Sequence, residues 1–166
     1  MVVSAPGQDA RVHTLHPGDV ACGERGDRFE TLLGSCVAIV LTDPRRTVGA
    51  MCHIVHSIAS AASRQGDTAH ADAALDAMYR LLHQRSINPR LCEAYVYGGA
   101  NMFPQLAAAP RSSPSRHVGE ANARWATGAL AHEGIAVLLQ DLGGTNYRRL
   151  SWTVGPEAPR VIAATD

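Results

Sequence analysis

Two neighbouring segments decide the fold: residues 30–44, which read ETLLGSCVAIVLTDP, and residues 48–57, which read VGAMCHIVHS. The first contains five consecutive apolar residues, from Val37 to Leu41, and ends at Asp43-Pro44. This combination predicts a buried strand. The second segment predicts another strand, and the short polar connection between them is typical of a hairpin. We therefore expect the fold to be built around this pair of strands.

The other segments predict strands before and after two helices. Apolar residues at helical spacing predict one helix within residues 66–88, with Asp67 or Thr68 as its N-cap. A second helix is predicted within residues 119–134, with Gly134 after its last turn. One side of that second helix carries Asn122, Trp125, Ala126, Ala129 and Leu130. Further strands are predicted around Pro17-Gly18, before Gly98-Gly99, and in residues 135–144 and 148–154.

The order of these elements predicts the fold class. Strands, a helix, a strand, a helix and further strands indicate a single α+β domain of mixed β-sheets packed with flanking helices. A chain of 166 residues with 46% apolar content is long enough to bury one core, so we expect residues 1–166 to form that domain. The Pro- and Ser-rich residues 110–116 are expected to form an exposed loop.

Charge and hydropathy exclude two classes of partner. The formal net charge is zero and no basic stripe stands out, so we expect no nucleic-acid partner. The first residues, MVVSAPGQDARVH, lack the apolar core of a signal peptide. No run of residues approaches the roughly 20 apolar residues that a membrane span needs. We therefore expect a cytoplasmic protein without a membrane span, in which cysteines stay reduced.

The four cysteines, Cys22, Cys36, Cys52 and Cys92, include no C-x-x-C pair. A zinc site built on Cys36, Cys52 and His53 is possible by residue type. However, Cys52 and His53 are neighbours in a predicted strand, where successive side chains point to opposite faces. We therefore expect no metal and no other cofactor.

Cys36 has two histidines on the strand that follows it. A thiol is an effective nucleophile only when a neighbouring base can take its proton. His53 and His56 are three residues apart, so on a regular strand they face opposite ways. Hairpin partners whose numbers sum to about 90 place residue 53 opposite residue 37, within reach of Cys36 across a ladder spacing of about 5 Å. This favours His53, although Cys36 can also be a small buried residue and His53 a structural one.

Four segments together resemble the CheD family of chemoreceptor glutamine deamidases: TLLGSCVAIVLTDP, VGAMCHIV, YVYGGANMF and VGEANARWATGALAHEGIAVLLQDLGG. The resemblance runs in order from about residue 12 to about residue 155. It implies a CheD-like cysteine hydrolase fold, with Cys36 as nucleophile and His53 as base. The separation of 17 residues (53 − 36) is that of the family pattern.

The family pattern also has a threonine six residues before the cysteine, which orients the histidine. Counting back from Cys36 gives Glu30, whereas the nearby threonine is Thr31. Either Glu30 replaces the threonine or Thr31 serves from a position shifted by one. A carboxylate can orient an imidazole. The two side chains point to opposite faces of a strand, so only one can do so. We slightly favour Glu30.

Gly34 and Ser35 lead into the cysteine and have two compatible interpretations. A glycine lets the backbone approach a substrate closely, so the N–H of Cys36 or of a neighbour can meet an oxyanion. Alternatively, Gly34 occupies a turn that requires a positive φ. Gly98-Gly99 and Gly143-Gly144 are interpreted as tight turns beside the site.

The resemblance implies hydrolysis of glutamine side-chain amides in the cytoplasmic domain of chemoreceptors, through a Cys36 thioester. The products are glutamate and ammonia. It also implies a possible second partner, a CheC-type phosphatase. The alternative function is that of a catalytically weak adaptor that binds chemoreceptors or such a phosphatase.

Overall fold

The computed structural model describes residues 10–58, 60–103 and 114–164. Nine strands are present in these residues: β1 (Val12–Leu15), β2 (Val20–Glu24), β3 (Arg28–Leu33), β4 (Val37–Thr42), β5 (Val48–Ile54), β6 (Glu93–Gly98), β7 (Ala136–Leu142), β8 (Tyr147–Thr153) and β9 (Arg160–Ala164). The helices are α1 (Ala61–Arg64), α2 (Ala71–Gln84) and α3 (Pro114–His132), with a 3-10 turn at Pro89–Leu91. Among the described residues, the helices lack the combination of length and apolar content that a membrane-spanning helix requires.

The strands form two mixed sheets. The four-stranded sheet has the order β1-β3-β8-β9, and β1 runs parallel to β3. The five-stranded sheet has the order β2-β5-β4-β6-β7, and β7 runs parallel to β6. All other neighbours are antiparallel. The predicted α+β class is therefore confirmed.

Strand β4 lies at the centre of the molecule, and all six of its residues are buried. Its odd-numbered residues face α2 and α3 in a helix-side core, whose members on β4 are Val37, Ile39 and Leu41. Its even-numbered residues Ala38 and Val40 face the four-stranded sheet in an inter-sheet core that includes the β3 and β8 aromatics. The uninterrupted apolar run follows from this position, because a strand covered on both faces cannot alternate with polar residues.

The two predicted helices, α2 and α3, begin at residues other than those predicted. The α2 helix starts after His70, because Asp67 and Thr68 are used elsewhere. The Asp67 carboxylate accepts the Ala69 N–H at 3.0 Å, and the Thr68 hydroxyl donates to the Gly18 carbonyl at 2.6 Å. The α3 helix starts at Pro114, earlier than predicted. Of the predicted loop at 110–116, residues 114–116 are therefore helical, and residues 110–113 lie outside the described part of the chain.

The central hairpin is confirmed, but its register differs from the predicted one. Val37 lies opposite Ile54 and Ala38 lies opposite His53, so the partner numbers sum to 91. The Asp43 carboxylate fixes the connection by accepting the N–H groups of Thr47 and Val48, at 2.8 and 2.9 Å. A shift of one residue turns every side chain to the other face. It therefore changes which residues can share a face with Cys36.

Gly98 and Gly128 should respond in opposite directions to replacement by alanine. Gly98 has φ +112°, and a Cβ there would overlap the Cys36 carbonyl oxygen. We expect Gly98→Ala to lower the free energy of unfolding by about 1–3 kcal/mol. Gly128 lies on an exposed turn of α3 with open space at its Cβ position, so Gly128→Ala should raise it by about 0.5–1 kcal/mol. Urea unfolding of the two variants checks both signs.

Candidate active site

A buried hydrogen bond joins the two sheets at His53 and Thr31. Nδ1 of His53, on β5, lies 2.7 Å from the Thr31 hydroxyl oxygen on β3. The same hydroxyl lies 2.7 Å from the carbonyl oxygen of Leu15, on β1. Both side chains are buried, with 1% of His53 and 6% of Thr31 exposed.

The arrangement around Thr31 fixes the tautomer of His53. A carbonyl oxygen can only accept, so the single hydroxyl hydrogen of Thr31 goes to Leu15. Thr31 must then accept its second bond from an N–H at Nδ1 of His53. The neutral imidazole therefore carries its lone pair on Nε2. An imidazole with Nδ1–H bound and Nε2 free is prepared to take a proton.

The preference for Glu30 over Thr31 as the contact of His53 was wrong. The Glu30 carboxylate pairs with the Arg28 guanidinium at 3.0 Å, on the half-exposed face of β3. Thr31 lies on the opposite face, toward the five-stranded sheet, because successive strand residues alternate. In this chain the threonine thus stands five residues before Cys36, one fewer than in the family pattern.

Cys36 precedes β4 and is half-buried. It packs against the inter-sheet core, the face to which Ala38 also belongs. Ala38 lies directly opposite His53, so Cys36 and His53 are diagonal neighbours on one face. The predicted register would have placed them on opposite faces. His56 lies beyond the end of β5, where it bridges to His70, so it does not join this group.

Burial keeps both members of the pair uncharged at neutral pH. Desolvation lowers the pKa of His53 to about 4, although the Asp19 carboxylate raises this pKa and His16 lowers it further. Burial also raises the pKa of the Cys36 thiol. The resting state is therefore a neutral thiol and a neutral imidazole on the same face of the sheet, and an unprotonated imidazole can act as a general base.

The main chain at Cys36 is held by three hydrogen bonds to successive carbonyls. The carbonyl of Gly34 accepts from Ala100 N–H at 3.0 Å, and that of Cys36 accepts from Gly99 N–H at 2.9 Å. Between them, the Ser35 carbonyl accepts from the Asn122 side chain at 3.2 Å. In contrast, the N–H groups of residues 34–36 have no acceptor among the residues described. Within the part of the chain that the structure describes, these donors next to the sulfur are unoccupied.

Gly34 does not occupy a positive-φ turn. An ideal Cβ at this position would lie 3.1 Å from the Tyr147 ring and 3.2 Å from the Met102 side chain. The absent side chain therefore lets two apolar groups approach the backbone just before Cys36. Residues 98–99 and 143–144 all have positive φ angles, but the predicted tight turn at 98–99 is not present, because Gly98 still belongs to β6. Residues 143–144 lie in the connection between β7 and β8.

A cavity of about 470 Å³ lies beside this segment. It is lined by residues 99–102, the α3 residues 117–120 and 123, and the turn at 142–144. Gly99 connects it to the site, because the Gly99 N–H binds the Cys36 carbonyl. Cys52 and Cys92 are less favourable nucleophiles, since burial raises the pKa of each thiol to about 12. No group of three metal-ligating side chains occurs in the ranges that the structure covers.

Sequence reasoning missed two contributors to the site. The Leu15 carbonyl is a main-chain group, which no residue type could reveal. Asn122 had a visible signal, because it is a polar residue on the apolar side of a predicted helix. In the structure its side chain is fully buried and donates to the carbonyls of Ser35 and Val55.

Two packed mixed sheets that hold a cysteine, a histidine and a threonine together define a candidate cysteine hydrolase site. A family profile described as CheD chemotactic sensory transduction matches residues 56–157. A Pseudomonas fluorescens protein, named a probable chemoreceptor glutamine deamidase CheD, is 34% identical over 82% of this chain and 75% of its own length. A relative of the same name from Pseudomonas syringae pv. syringae is 33% identical over the same shares. The chain belongs to the CheD family, which confirms the resemblance seen in the sequence.

Among solved structures, a Neisseria meningitidis protein superposes with a TM-score of 0.47 at 13% identity. The superposition covers 88% of this chain and 76% of that protein.

The depressed pKa of His53 predicts a specific loss of stability in acid. Between pH 6.5 and about 4 the unfolded chain binds a proton at residue 53, whereas the folded chain does not. The free energy of unfolding should therefore fall as pH is lowered through this window, by about 3 kcal/mol at pH 4. Urea unfolding at pH 7 and at pH 4 of the wild type and of His53→Gln measures this difference. An equal loss of unfolding free energy in the wild type and in His53→Gln would contradict this prediction, since the two proteins share all other titrating groups.

Proposed function

We propose that this protein hydrolyses the side-chain amide of specific glutamines in chemoreceptors, giving glutamate and ammonia. The observation that carries the proposal is the Thr31–His53 hydrogen bond, which leaves Nε2 of His53 as a base on the face of Cys36. The names of the relatives, as probable chemoreceptor glutamine deamidases, supply the substrate.

The reaction begins with attack by Cys36. The thiol proton passes to Nε2 of His53 while the sulfur forms a bond to the amide carbon. The carbonyl electron pair moves to oxygen and gives a tetrahedral oxyanion. When the carbonyl reforms, the carbon–nitrogen bond breaks, and the proton on His53 passes to the leaving nitrogen, which departs as ammonia. A thioester between Cys36 and the former glutamine side chain remains.

Water completes the cycle. His53 takes a proton from water as its oxygen attacks the thioester carbon, and a second tetrahedral intermediate forms. This intermediate collapses by breaking the carbon–sulfur bond. The sulfur leaves with the proton from His53, which restores the thiol and the neutral imidazole. The amide consumes one water and releases one ammonia, without an oxidant or a cofactor.

The N–H donors of residues 34–36, which have no acceptor among the described residues, support oxyanion stabilisation by the main chain. A donor aimed at the charge that develops in the transition state is worth about 3–4 kcal/mol. The N–H of Cys36 belongs to the residue that forms the carbon–sulfur bond, so it lies close to the reacting carbonyl. Gly34 and Ser35 contribute by main-chain geometry rather than by side-chain chemistry.

The partner that follows from this function is the cytoplasmic domain of a chemoreceptor, so the proposal includes a cytoplasmic location for the protein. Exposed apolar side chains close to Gly34 suit contact with a protein substrate: Tyr147 is 37% exposed, and Phe103, next to Met102, is 41% exposed. A CheC-type phosphatase is a second partner that the family membership suggests.

The first test of the function is direct. Purified protein incubated with a chemoreceptor cytoplasmic fragment should convert specific glutamines to glutamates, a mass gain of about 1 Da per site, with ammonia released. Cys36→Ala and His53→Ala should each lower the rate by at least about 10³-fold, because they remove half of a nucleophile–base pair. Cys22→Ala, at another half-buried thiol, should retain the rate. Wild-type binding to the organism's receptors without any mass change would instead support the adaptor alternative.

Thr31 and Glu30 should differ in their effect on turnover. We expect Thr31→Val to lower kcat by about 10- to 100-fold, because Nδ1 of His53 loses its acceptor and the tautomer is no longer fixed. Thr31→Ser should recover much of the rate, since it keeps the hydroxyl. Glu30→Gln should stay close to the wild type, since its partner is Arg28 on the exposed face. Steady-state deamidation rates decide between the two residues, and a loss confined to Glu30→Gln would reject the role given to Thr31.

A further inference from the structure

The main chain at Cys36 and the strand that carries His53 separate where their ladder ends. Val37 and Ile54 form the last pair of β4 and β5. Beyond it, the N–H groups of Val55 and His56 both turn to the Ala69 carbonyl, before α2. No backbone N–H among the described residues donates to the carbonyl of Ser35 or to that of Val55. Two acceptors cannot bond to each other, so a donor must come from elsewhere.

Asn122 of α3 supplies that donor to both carbonyls. Its Nδ2 lies 3.2 Å from the Ser35 oxygen and 3.0 Å from the Val55 oxygen. Both partners are acceptors, so the amide must present its nitrogen to them. The side chain is fully buried, and its Oδ1 has no hydrogen-bond partner in the described structure. Because the amide oxygen is buried without a partner, the two hydrogen bonds of the amide nitrogen are the interactions that account for Asn122 at this position.

The helix reaches this position because of a glycine one turn earlier. A Cβ on Gly119 would overlap the carbonyl oxygen of Ala100 and crowd that of Gly99. The α3 backbone therefore lies directly against the segment whose N–H groups hold the carbonyls of Gly34 and Cys36. Asn122, three residues further along, lies on the same face of the helix. Helix and loop together fix three successive peptide units around the sulfur.

We propose that Asn122 is a positioning residue for the Cys36–His53 pair, because its amide ties the peptide before the nucleophile to the strand end beyond the base. This inference rests on the proposed function and adds a residue that touches neither the substrate nor the reacting atoms. It has a second consequence. In a planar trans peptide the C=O and N–H point in opposite directions. The bond that holds the Ser35 carbonyl toward Asn122 therefore directs the Cys36 N–H away from it, as an available donor.

Asn122→Ala tests the proposal. With the bridge removed, the two carbonyls are left without a donor, and the Cys36 main chain is free to shift relative to His53. We expect kcat for deamidation to fall by about 10- to 100-fold, as for a displacement of about 1 Å, with KM within about twofold of the wild type. Asn122→Gln keeps an amide on a longer side chain and should retain more of the rate than Asn122→Ala.

A double-mutant cycle separates positioning from stability. The rate of Cys36 alkylation by iodoacetamide at pH 7 is measured in the wild type, Asn122→Ala, His53→Ala and the double variant, each shown to be folded by circular dichroism. If Asn122 acts through the Cys36–His53 pair, Asn122→Ala should lower the alkylation rate when His53 is present. It should change that rate little in the His53→Ala background. Leu130→Ala, which removes another fully buried α3 side chain, is the matched control and should leave the rate unchanged.

The outcomes distinguish this inference from the function on which it rests. Equal effects of Asn122→Ala in both backgrounds, or an unchanged kcat in the folded variant, would overturn the positioning role while deamidation itself stands. If the wild type shows no deamidation, the proposed function fails, and the alkylation cycle still decides whether Asn122 positions Cys36 against His53. Should Asn122→Ala not fold, Asn122→Leu, which keeps a similar side-chain volume but has no hydrogen-bond donor, takes its place in the cycle. A wild-type alkylation rate with this variant would then overturn the proposal.

Discussion

The rest of the structure depends on the hydrogen bonds that run from His53 through Thr31 to the Leu15 carbonyl. They connect β5 of one sheet with β3 and β1 of the other, inside a layer that is otherwise apolar. Each of these polar groups would cost about 1–3 kcal/mol if it were buried without a partner. The two sheets can therefore pack in this way only when their alignment brings Thr31 and His53 together. Sheet packing and site geometry are consequences of the same contact.

The buried, largely apolar layer between the sheets also determines the chemistry that the site can perform. Burial disfavours charge on His53 and on Cys36, so both are neutral before substrate arrives. A neutral imidazole with Nδ1–H already bound can only accept a proton at Nε2. The same low-dielectric surroundings strengthen any hydrogen bond to an oxyanion. An environment that suppresses a resting ion pair between Cys36 and His53 thus favours a base and hydrogen-bond donors that interact with charge only as it forms during the reaction.

Cys36, the proposed nucleophile, is held mainly through its backbone. Three carbonyls in succession are bound by a loop and a helix, and two glycines allow the close approach that this needs: Gly98 beneath the Cys36 carbonyl, and Gly119 on α3. Sites held by rigid elements keep reacting groups within a few tenths of an ångström of their productive positions. The side chain of Cys36 itself contributes no hydrogen bond to this arrangement among the residues described.

The sequence by itself determined the fold class, the central hairpin and the residues of the candidate pair. Five apolar residues between Ser35-Cys36 and Thr42-Asp43 indicate a strand covered on both faces. The helices predicted around Met78 and Leu130 cover one of these faces. The family resemblance then singled out Cys36 and His53. These inferences depend on local patterns, which a single sequence contains.

Only the tertiary structure decided the register and the third member of the site. A hairpin shifted by one residue fits the apolar pattern of β4 equally well, because that strand is buried on both faces, and the Asp43 turn resolved the choice. Glu30 and Thr31 are adjacent in sequence, and which of them meets His53 depends on the face of β3 that packs against the other sheet. Asn122 is 86 residues away from Cys36 (122 − 36), and its contact exists only because α3 folds back over that segment. Contacts between distant segments follow from packing, and no local pattern records them.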